Sequence, residues 1–221
     1  MPLLPEPLGP SLSFQYGDTM VGDCQSTWPG ESTRWAVSGG AETTSAFRDP
    51  DTGLVVRITA RRFKRYGALE WVVEFENTGS SDTPILQHIL PLDLTLPLGT
   101  YERARLHHAI GSRCQIDDFL PQSTLLVPGS TTRLAPLGGR SSSGTLPFMN
   151  LQGPAGGFVL AIGWSGQWAV AFDRTSDSLR LTAGMERTHL RLRPGERIRT
   201  PRILLVPWEG QDPDLGNNLL R

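Results

Sequence analysis

The sequence predicts an all-β protein, a large antiparallel β-sandwich of two sheets. Apolar and polar residues alternate at a period of two, whereas no stretch before residue 212 keeps the 3.6-residue period of a helix for more than a turn or two. Glycine and proline are frequent, with 24 and 18 among 221 residues. Short strands separated by Gly and Pro turns are typical of sandwiches, and the count of about a dozen or more exceeds that of an immunoglobulin-type domain.

The clearest strands lie in the first third of the chain. Along residues 69–76 the even positions are mostly glutamates, so we expect the odd positions, with Trp71 and Phe75, to be buried. Residues 56–61 alternate in the same way, and residues 64–67 join the two strands as a hairpin. The sequence Asp-Pro-Asp-Thr-Gly at 49–53 is predicted to form another hairpin turn, because Asx side chains cap turns.

The remaining strands are predicted between turn residues such as Pro128-Gly129 and Ser165-Gly166. They cover residues 85–94 (with Pro91 near the end), 123–127, 131–137, 158–164, 167–172, 179–183, 188–192 and 197–208. After residue 211, Leu215 and Leu219 have helical spacing. We therefore expect a leader at 1–10, either disordered or added to the native chain, a sandwich at 11–211 and the start of a helix at 212–221.

Charge and composition exclude several classes of protein. The net charge of −1 offers no basic excess for nucleic acid. No apolar run is long enough to span a membrane, and no signal peptide is visible, which favours the cytoplasm. Cys24 and Cys114 are the only cysteines, and their spacing does not decide whether they pair.

The sequence offers no convincing catalytic or metal site. His107 and His108 precede Cys114 and two aspartates, but adjacent strand residues point to opposite faces, so packing and a polar rim are the favoured roles. Five aspartates could supply a carboxylate pair for glycoside hydrolysis, although turn and loop roles fit them better: Asp49, Asp51, Asp117, Asp118 and Asp173. No nucleophile elbow, phosphate loop or dinucleotide motif is present. We predict no catalytic residue, no metal and no cofactor.

Two tryptophans flank a tight turn in Trp164-Ser-Gly-Gln-Trp168. An indole face can stack on the apolar face of a pyranose. Burial of one or both rings in the core is the alternative, and the sequence favours it.

Several segments in this order resemble one family. They are FRDPDTGL (47–54), EWVVEFENTG (70–79), HHAIGSRC (107–114), GGRSSS (138–143), LPFMN (146–150), IGWSGQWA (162–169), AGMERTH (183–189) and PGE (194–196). Residues 11–221 are similar to the N-terminal β-supersandwich of bacterial α-galactosidase-like glycoside hydrolases (family 36, the melibiase clan). The resemblance implies a following (β/α)8 barrel that carries both catalytic aspartates. Such a barrel needs about 200 or more residues, so we expect this chain to be non-catalytic and the barrel to be absent from it.

The resemblance also implies that sandwich loops, among them 138–144, approach the substrate cleft. Glycine permits close backbone approach, while arginine and serine donate hydrogen bonds. The predicted carbohydrate-binding residues are Arg140, Ser141, Arg113, His108, Asp118, Trp164, Trp168 and Asn150. The expected partners are a weakly bound glycan (a galactoside or plant polysaccharide), the absent barrel and a possible second copy of the chain.

Two functions remain open at this point, besides an enzyme with a novel site. One is a carbohydrate-binding module, and the other is a structural domain that docks a barrel or oligomerises without touching sugar. Convergence of the candidate residues on one concave face with exposed aromatics would favour sugar binding. A scattered or apolar arrangement would favour docking.

Overall fold

Residues 9–22, 24–97 and 103–220 are described by a computed structural model, in which eighteen β-strands and two short α-helices form a sandwich. One layer is a ten-stranded sheet, and two four-stranded sheets form the facing layer. Every strand pair is antiparallel, from Phe14↔Val21 to Arg62↔Leu69. The prediction of an all-β antiparallel sandwich is confirmed, with the second layer divided into two sheets.

The large sheet has one strand order from edge to edge, with one extra strand, β17 (Arg197–Arg199), paired to β6. The order is β10 (Pro121–Leu126), β9 (Ala104–Ala109), β12 (Phe148–Gln152), β13 (Gly156–Gly163), β18 (Arg202–Glu209), β6 (Leu69–Asn77), β5 (Leu54–Phe63), β4 (Gly40–Arg48) and β3 (Gly30–Val37).

The two small sheets use the remaining strands. The first has the order β16 (His189–Leu190), β7 (Leu86–Leu90), β1 (Ser13–Tyr16) and β2 (Thr19–Val21). The second has the order β11 (Ser130–Leu134), β14 (Trp168–Arg174), β15 (Ser178–Met185) and β8 (Leu92–Pro97). Helix α1 spans Cys24–Thr27, and helix α2 spans Pro213–Leu219.

Two predicted strands are divided by proline. The strand expected at 85–94 is two strands, β7 and β8, which meet at Pro91 and belong to different small sheets. The strand expected at 197–208 is β17 and β18, separated by Thr200 and Pro201. Proline has no N–H group to donate to a ladder, so pairing stops or changes partner there. The turns at 128–129 and 165–166 likewise connect strands of different sheets rather than hairpin neighbours.

The predicted local patterns are confirmed where turns are short. Trp71, Val73 and Phe75 are buried, and the residues that alternate with them, Val72 and Glu74, are half-buried. The Asp49 carboxylate accepts hydrogen bonds from the N–H groups of Asp51 and Thr52 at 3.3 Å, and Gly53 has φ +81°. This arrangement closes the turn between β4 and β5.

The main core lies between the large sheet and the two small sheets. It contains side chains from all three, among them Phe14, Leu86, Leu54, Trp71, Phe158, Trp168 and Phe172. A smaller apolar cluster lies on the opposite face of the large sheet and contains Trp208, Val159 and Val206.

Helix α2 packs on Trp208 beside this second cluster. Asp212 is its N-cap and accepts from the Asp214 N–H at 2.9 Å. Gly216 lies against the Trp208 ring, where a Cβ would come within 2.4 Å of Cδ1. The short C-terminal helix is thus confirmed, whereas its role as a link to another domain stays a prediction.

An ion pair within the second small sheet is connected to the first small sheet by a hydrogen bond. Asp93 of β8 accepts from Arg180 of β15 at 2.8 and 2.9 Å and from Ser13 of β1 at 2.6 Å. The Arg180 guanidinium holds the pKa of Asp93 below its usual value, against the opposite effect of burial.

Two further expectations concern cysteines and membranes. Cys24 is buried and Cys114 is exposed, and no disulfide joins them. Neither described helix is long and apolar enough to cross a membrane. The leader expected at 1–10 falls mainly on residues 1–8, which lie outside the described residues.

Candidate functional site

Three loops meet at one end of the sandwich. We call them the loop end: residues 110–120, 137–146 and 164–168. The Ser112 N–H donates to the Ser142 carbonyl at 2.9 Å, and the Gly139 N–H donates to Gln167 Oε1 at 2.9 Å. The loop end therefore brings together segments that are far apart in the sequence.

Gly111 is where the first two loops touch. A Cβ at this position would lie 2.0 Å from the Ser142 carbonyl oxygen and 2.7 Å from the Thr145 nitrogen. Backbone atoms cannot rotate away as a long side chain can, so only glycine fits between these loops.

We expect Gly111→Ala to separate the two loops and to lower the free energy of unfolding by about 1–3 kcal/mol, the usual cost of overpacking. Gly22→Ala is the matched control, because nothing lies within 4 Å of its added Cβ. Urea unfolding measures both variants. Equal stability of Gly111→Ala and the native chain would contradict the close contact between Gly111 and the second loop.

Asp118 organises the first loop. Its carboxylate accepts from Ser112 Oγ at 2.8 Å and from the N–H groups of Arg113 and Cys114 at 2.8 and 2.9 Å. The Arg113 N–H is the main cause that holds the pKa of Asp118 below its usual value. The Arg113 guanidinium lies 3.4 Å from Asp117. Two of the predicted sugar contacts thus already have partners within their own loop.

Arg140 and Ser141 lie in the second loop. The Arg140 carbonyl accepts from the Ser143 N–H at 3.0 Å, and the Ser141 carbonyl accepts from Trp168 Nε1 at 2.8 Å. The Arg140 side chain is exposed and has no hydrogen-bond partner among the described residues. The triple serine is therefore held mainly through its backbone, and Arg140 projects outward.

The two tryptophans have different environments. Trp168 is fully buried, at 0 % exposure, so the prediction that its face could stack on a sugar is corrected. Trp164 is half-buried, and the Arg199 guanidinium carbon lies 5.4 Å from its ring centroid. One side of the Trp164 ring is thereby in a cation–π contact.

Asn150 has a structural role away from the loop end. Its Nδ2 donates to the Pro213 carbonyl at 2.8 Å and to Asn217 Oδ1 at 3.1 Å, and its Oδ1 accepts from Trp208 Nε1 at 2.8 Å. Because the buried amide is fully engaged with α2 and the sheet, the prediction of a sugar contact at Asn150 is corrected.

The side chains of the adjacent histidines His107 and His108 also have different surroundings. His107 Nε2 lies 2.8 Å from Gln152 Oε1, while half-buried His108 has a pKa lowered by burial and by the neighbouring His107. Among the described residues, no three His, Cys, Asp or Glu side chains are grouped closely enough to hold a metal ion. Of the predicted sugar contacts, the loop end contains Arg113, Asp118, Arg140, Ser141, Trp164 and, in its interior, Trp168.

Apolar residues exposed at and beside the loop end were not predicted as functional. Ile116 is fully exposed, at 106 %, and the others are more than one-third exposed: Phe119, Leu120, Leu137 and Phe148. The signal in the sequence is the apolar residue on each side of Asp117-Asp118, inside a loop where strand pairing cannot bury it. Clusters of this kind mark interaction surfaces.

The sandwich has the fold of part of several solved α-galactosidases. The GH36 alpha-galactosidase AgaA from Geobacillus stearothermophilus matches with a TM-score of 0.66 and 16% identity, over 92% of this chain and 30% of that chain. The alpha-galactosidase from Lactobacillus brevis matches with a TM-score of 0.69 and 17% identity, over 92% of this chain and 29% of the enzyme. An alpha-N-acetylgalactosaminidase, NagBb from Bifidobacterium bifidum, matches with a TM-score of 0.56 and 10% identity, over 98% and 33%.

These matches confirm the fold expected from the resemblance, and at these identities they concern the fold alone. The chain spans about a third of the length of the solved enzymes that it matches. No protein-family profile matches the sequence, and no curated protein does.

Proposed function

We propose that this chain is a non-catalytic β-sandwich domain of an α-galactosidase-like glycoside hydrolase, and that it docks a catalytic partner through its loop end. The supporting observation is the cluster of exposed apolar side chains there, with fully exposed Ile116 at the tip of its loop. A surface of this kind loses contact with water when a partner covers it, which stabilises the complex.

The polar groups of the loop end support docking over sugar binding. A sugar site needs free donors and acceptors that converge beside an exposed aromatic face. Here Asp118 is saturated by its own loop, and Trp168 is buried. The Arg140 side chain is exposed and has no hydrogen-bond partner among the described residues.

Weak glycan binding is the second candidate, favoured by that exposed arginine and by half-buried Trp164 in another loop of the loop end. One stacked indole and two or three hydrogen bonds, less the cost of association, correspond to dissociation constants of roughly 0.1–10 mM. This candidate and docking are compatible, because a docked loop end could still contact the edge of a substrate cleft.

The absence of catalysis is tested directly. We expect the chain to release no p-nitrophenol from p-nitrophenyl α-galactoside above the background rate. Turnover that survives purification and disappears in Asp117→Asn or Asp118→Asn would contradict a non-catalytic domain.

Docking and glycan binding are separated by two titrations. In the first, the native chain should bind 8-anilinonaphthalene-1-sulfonate, and Phe119→Ser should weaken the binding without changing the melting temperature. Tyr66→Ser is the matched control, since Tyr66 is an exposed aromatic residue outside the loop end. Equal dye binding by all three proteins would remove the support for docking.

In the second titration, galactosides, xylans and mannans are added while tryptophan fluorescence is followed. No response is expected if the loop end serves docking alone. A saturable response that is lost in Arg140→Ala, with the melting temperature unchanged, would instead favour the glycan site.

A further inference from the structure

Seven described strands, among them three-residue β17, pair on one side only, and most of them are protected against further pairing. Strands β2 and β16 have three and two residues, and β11 has five. Strand β10 begins at Pro121, and β8 ends at Pro97. Short length and proline are two means by which proteins keep sheet edges from pairing with other chains.

Strand β3 has none of these protections. It has eight residues, Gly30–Val37, with no proline and no lysine. Its register against β4 is unbroken from Gly30↔Phe47 to Val37↔Gly40, so no bulge turns the edge away. Seven of its eight residues are exposed, and no described residue pairs with its outer edge.

The charges of β3 suit a second copy of the same strand. Glu31 and Arg34 are its only charged residues, so the strand is neutral and two copies do not repel each other. We propose that β3 pairs antiparallel with β3 of a second copy of this chain, which joins the two large sheets into one continuous sheet. This interface is independent of the proposed function of the loop end.

The register of the pair follows from symmetry. Two identical antiparallel strands are related by a twofold axis perpendicular to the sheet. Because directly opposed residues have their side chains on the same face of the sheet, the residue at this axis lies opposite the same residue of the second copy. Centring on Arg34 would oppose two like charges, which is destabilising. Centring on Ser32 would pair only five residues. Centring on Thr33 pairs seven, residues 30–36, and opposes Thr33 to Thr33 of the second copy.

In this register the opposed side chains are compatible. Glu31 lies opposite Trp35 of the second copy, and Ser32 lies opposite Arg34 of the second copy. A threonine pair at the centre is a favourable cross-strand pair. An interface made by a single strand is small, and interfaces under about 1,200 Å² are typically weak, so the dimer should form at high protein concentration.

Cross-linking tests the register. In a Cys114→Ser background, which removes the exposed native thiol, Thr33→Cys should yield a covalent dimer on oxidation with diamide. Opposed Cβ atoms lie about 4.5–5.5 Å apart, which is close to the spacing of a disulfide. Glu31→Cys is the matched control, because its two copies would be displaced by about 13 Å along the strands. Equal cross-linking of the two variants, or none in either, would overturn the proposal.

Sedimentation of uncross-linked protein tests the interface itself. The native chain and Thr33→Val should dimerise as concentration rises, whereas Thr33→Lys should stay monomeric with the same melting temperature, because two lysines would face each other. A native chain that stays monomeric up to about 1 mM would overturn the proposal, as would equal dimerisation of Thr33→Lys.

Discussion

Replacing Trp71 by alanine is expected to lower the free energy of unfolding by about 3–5 kcal/mol. The side chain is 1 % exposed and lies in the core between the layers. Its Nε1 donates to the Pro91 carbonyl at 2.7 Å, at the point where β7 passes into β8. The substitution therefore leaves a cavity and removes the hydrogen-bond partner of a carbonyl that connects the two small sheets.

Two controls separate these effects in urea unfolding. Trp71→Phe removes the N–H donor while it keeps most of the apolar volume, so it should cost clearly less than the alanine variant. Trp35→Ala removes an indole that is 40 % exposed, and it should cost under about 1 kcal/mol. A Trp71→Ala variant as stable as Trp35→Ala would show that the layers do not pack on Trp71.

Asn77→Ala should have the second largest effect, a loss of about 2–4 kcal/mol. The side chain is 0 % exposed at the end of β6. Its Nδ2 donates to the carbonyls of Ser81 and Leu192 at 2.8 Å, and its Oδ1 accepts from the Gly79 N–H at 2.9 Å. Alanine would leave all three backbone groups without this partner.

The variant Asn77→Asp adds a test by pH. A carboxylate would place an oxygen against two carbonyl oxygens in a buried site, so the folded state should favour the protonated acid and raise its pKa. At a pH below the unfolded pKa of about 3.9 both states are protonated, and the variant should be closest to the native chain. As pH rises from there to the raised pKa, the variant should lose free energy of unfolding relative to the native chain, and above the raised pKa this loss should stay constant. A loss of unfolding free energy that does not change with pH would contradict the hydrogen bonds assigned to Asn77.

The contacts within the loop end explain why residues 138–144 combine glycine, arginine and serine. Serine carbonyls accept from Trp168 and from the Ser112 N–H, so the segment is a fixed support between two neighbouring loops. The Arg140 side chain is exposed to solvent and has no hydrogen-bond partner among the described residues. In the docking that we propose, an outward cation with neighbouring apolar side chains would suit a partner that has a carboxylate within an apolar surface.

Much of the fold follows from local features of the sequence. The alternation along 69–76 predicted which side chains of β6 are buried, because a strand turns successive side chains to opposite faces whatever surrounds it. The Asp49–Gly53 turn was also predicted, since Asx capping acts within a few residues. The helix after residue 211 was predicted from the spacing of Leu215 and Leu219, which is likewise a local signal. The position of α2 on Trp208 was not, because that contact depends on β18.

Sequence alone determined the class of fold, the short turns and the burial pattern within single strands. Tertiary structure decided how strands are distributed among sheets and which candidate residues remain accessible. Trp168 is buried because β14 lies in the second layer and its indole reaches Ser141 across 27 positions. Asn150 is covered because α2, 63 positions away, returns to β12. Such contacts arise from the packing of distant segments, for which periodicity and turn chemistry carry no signal.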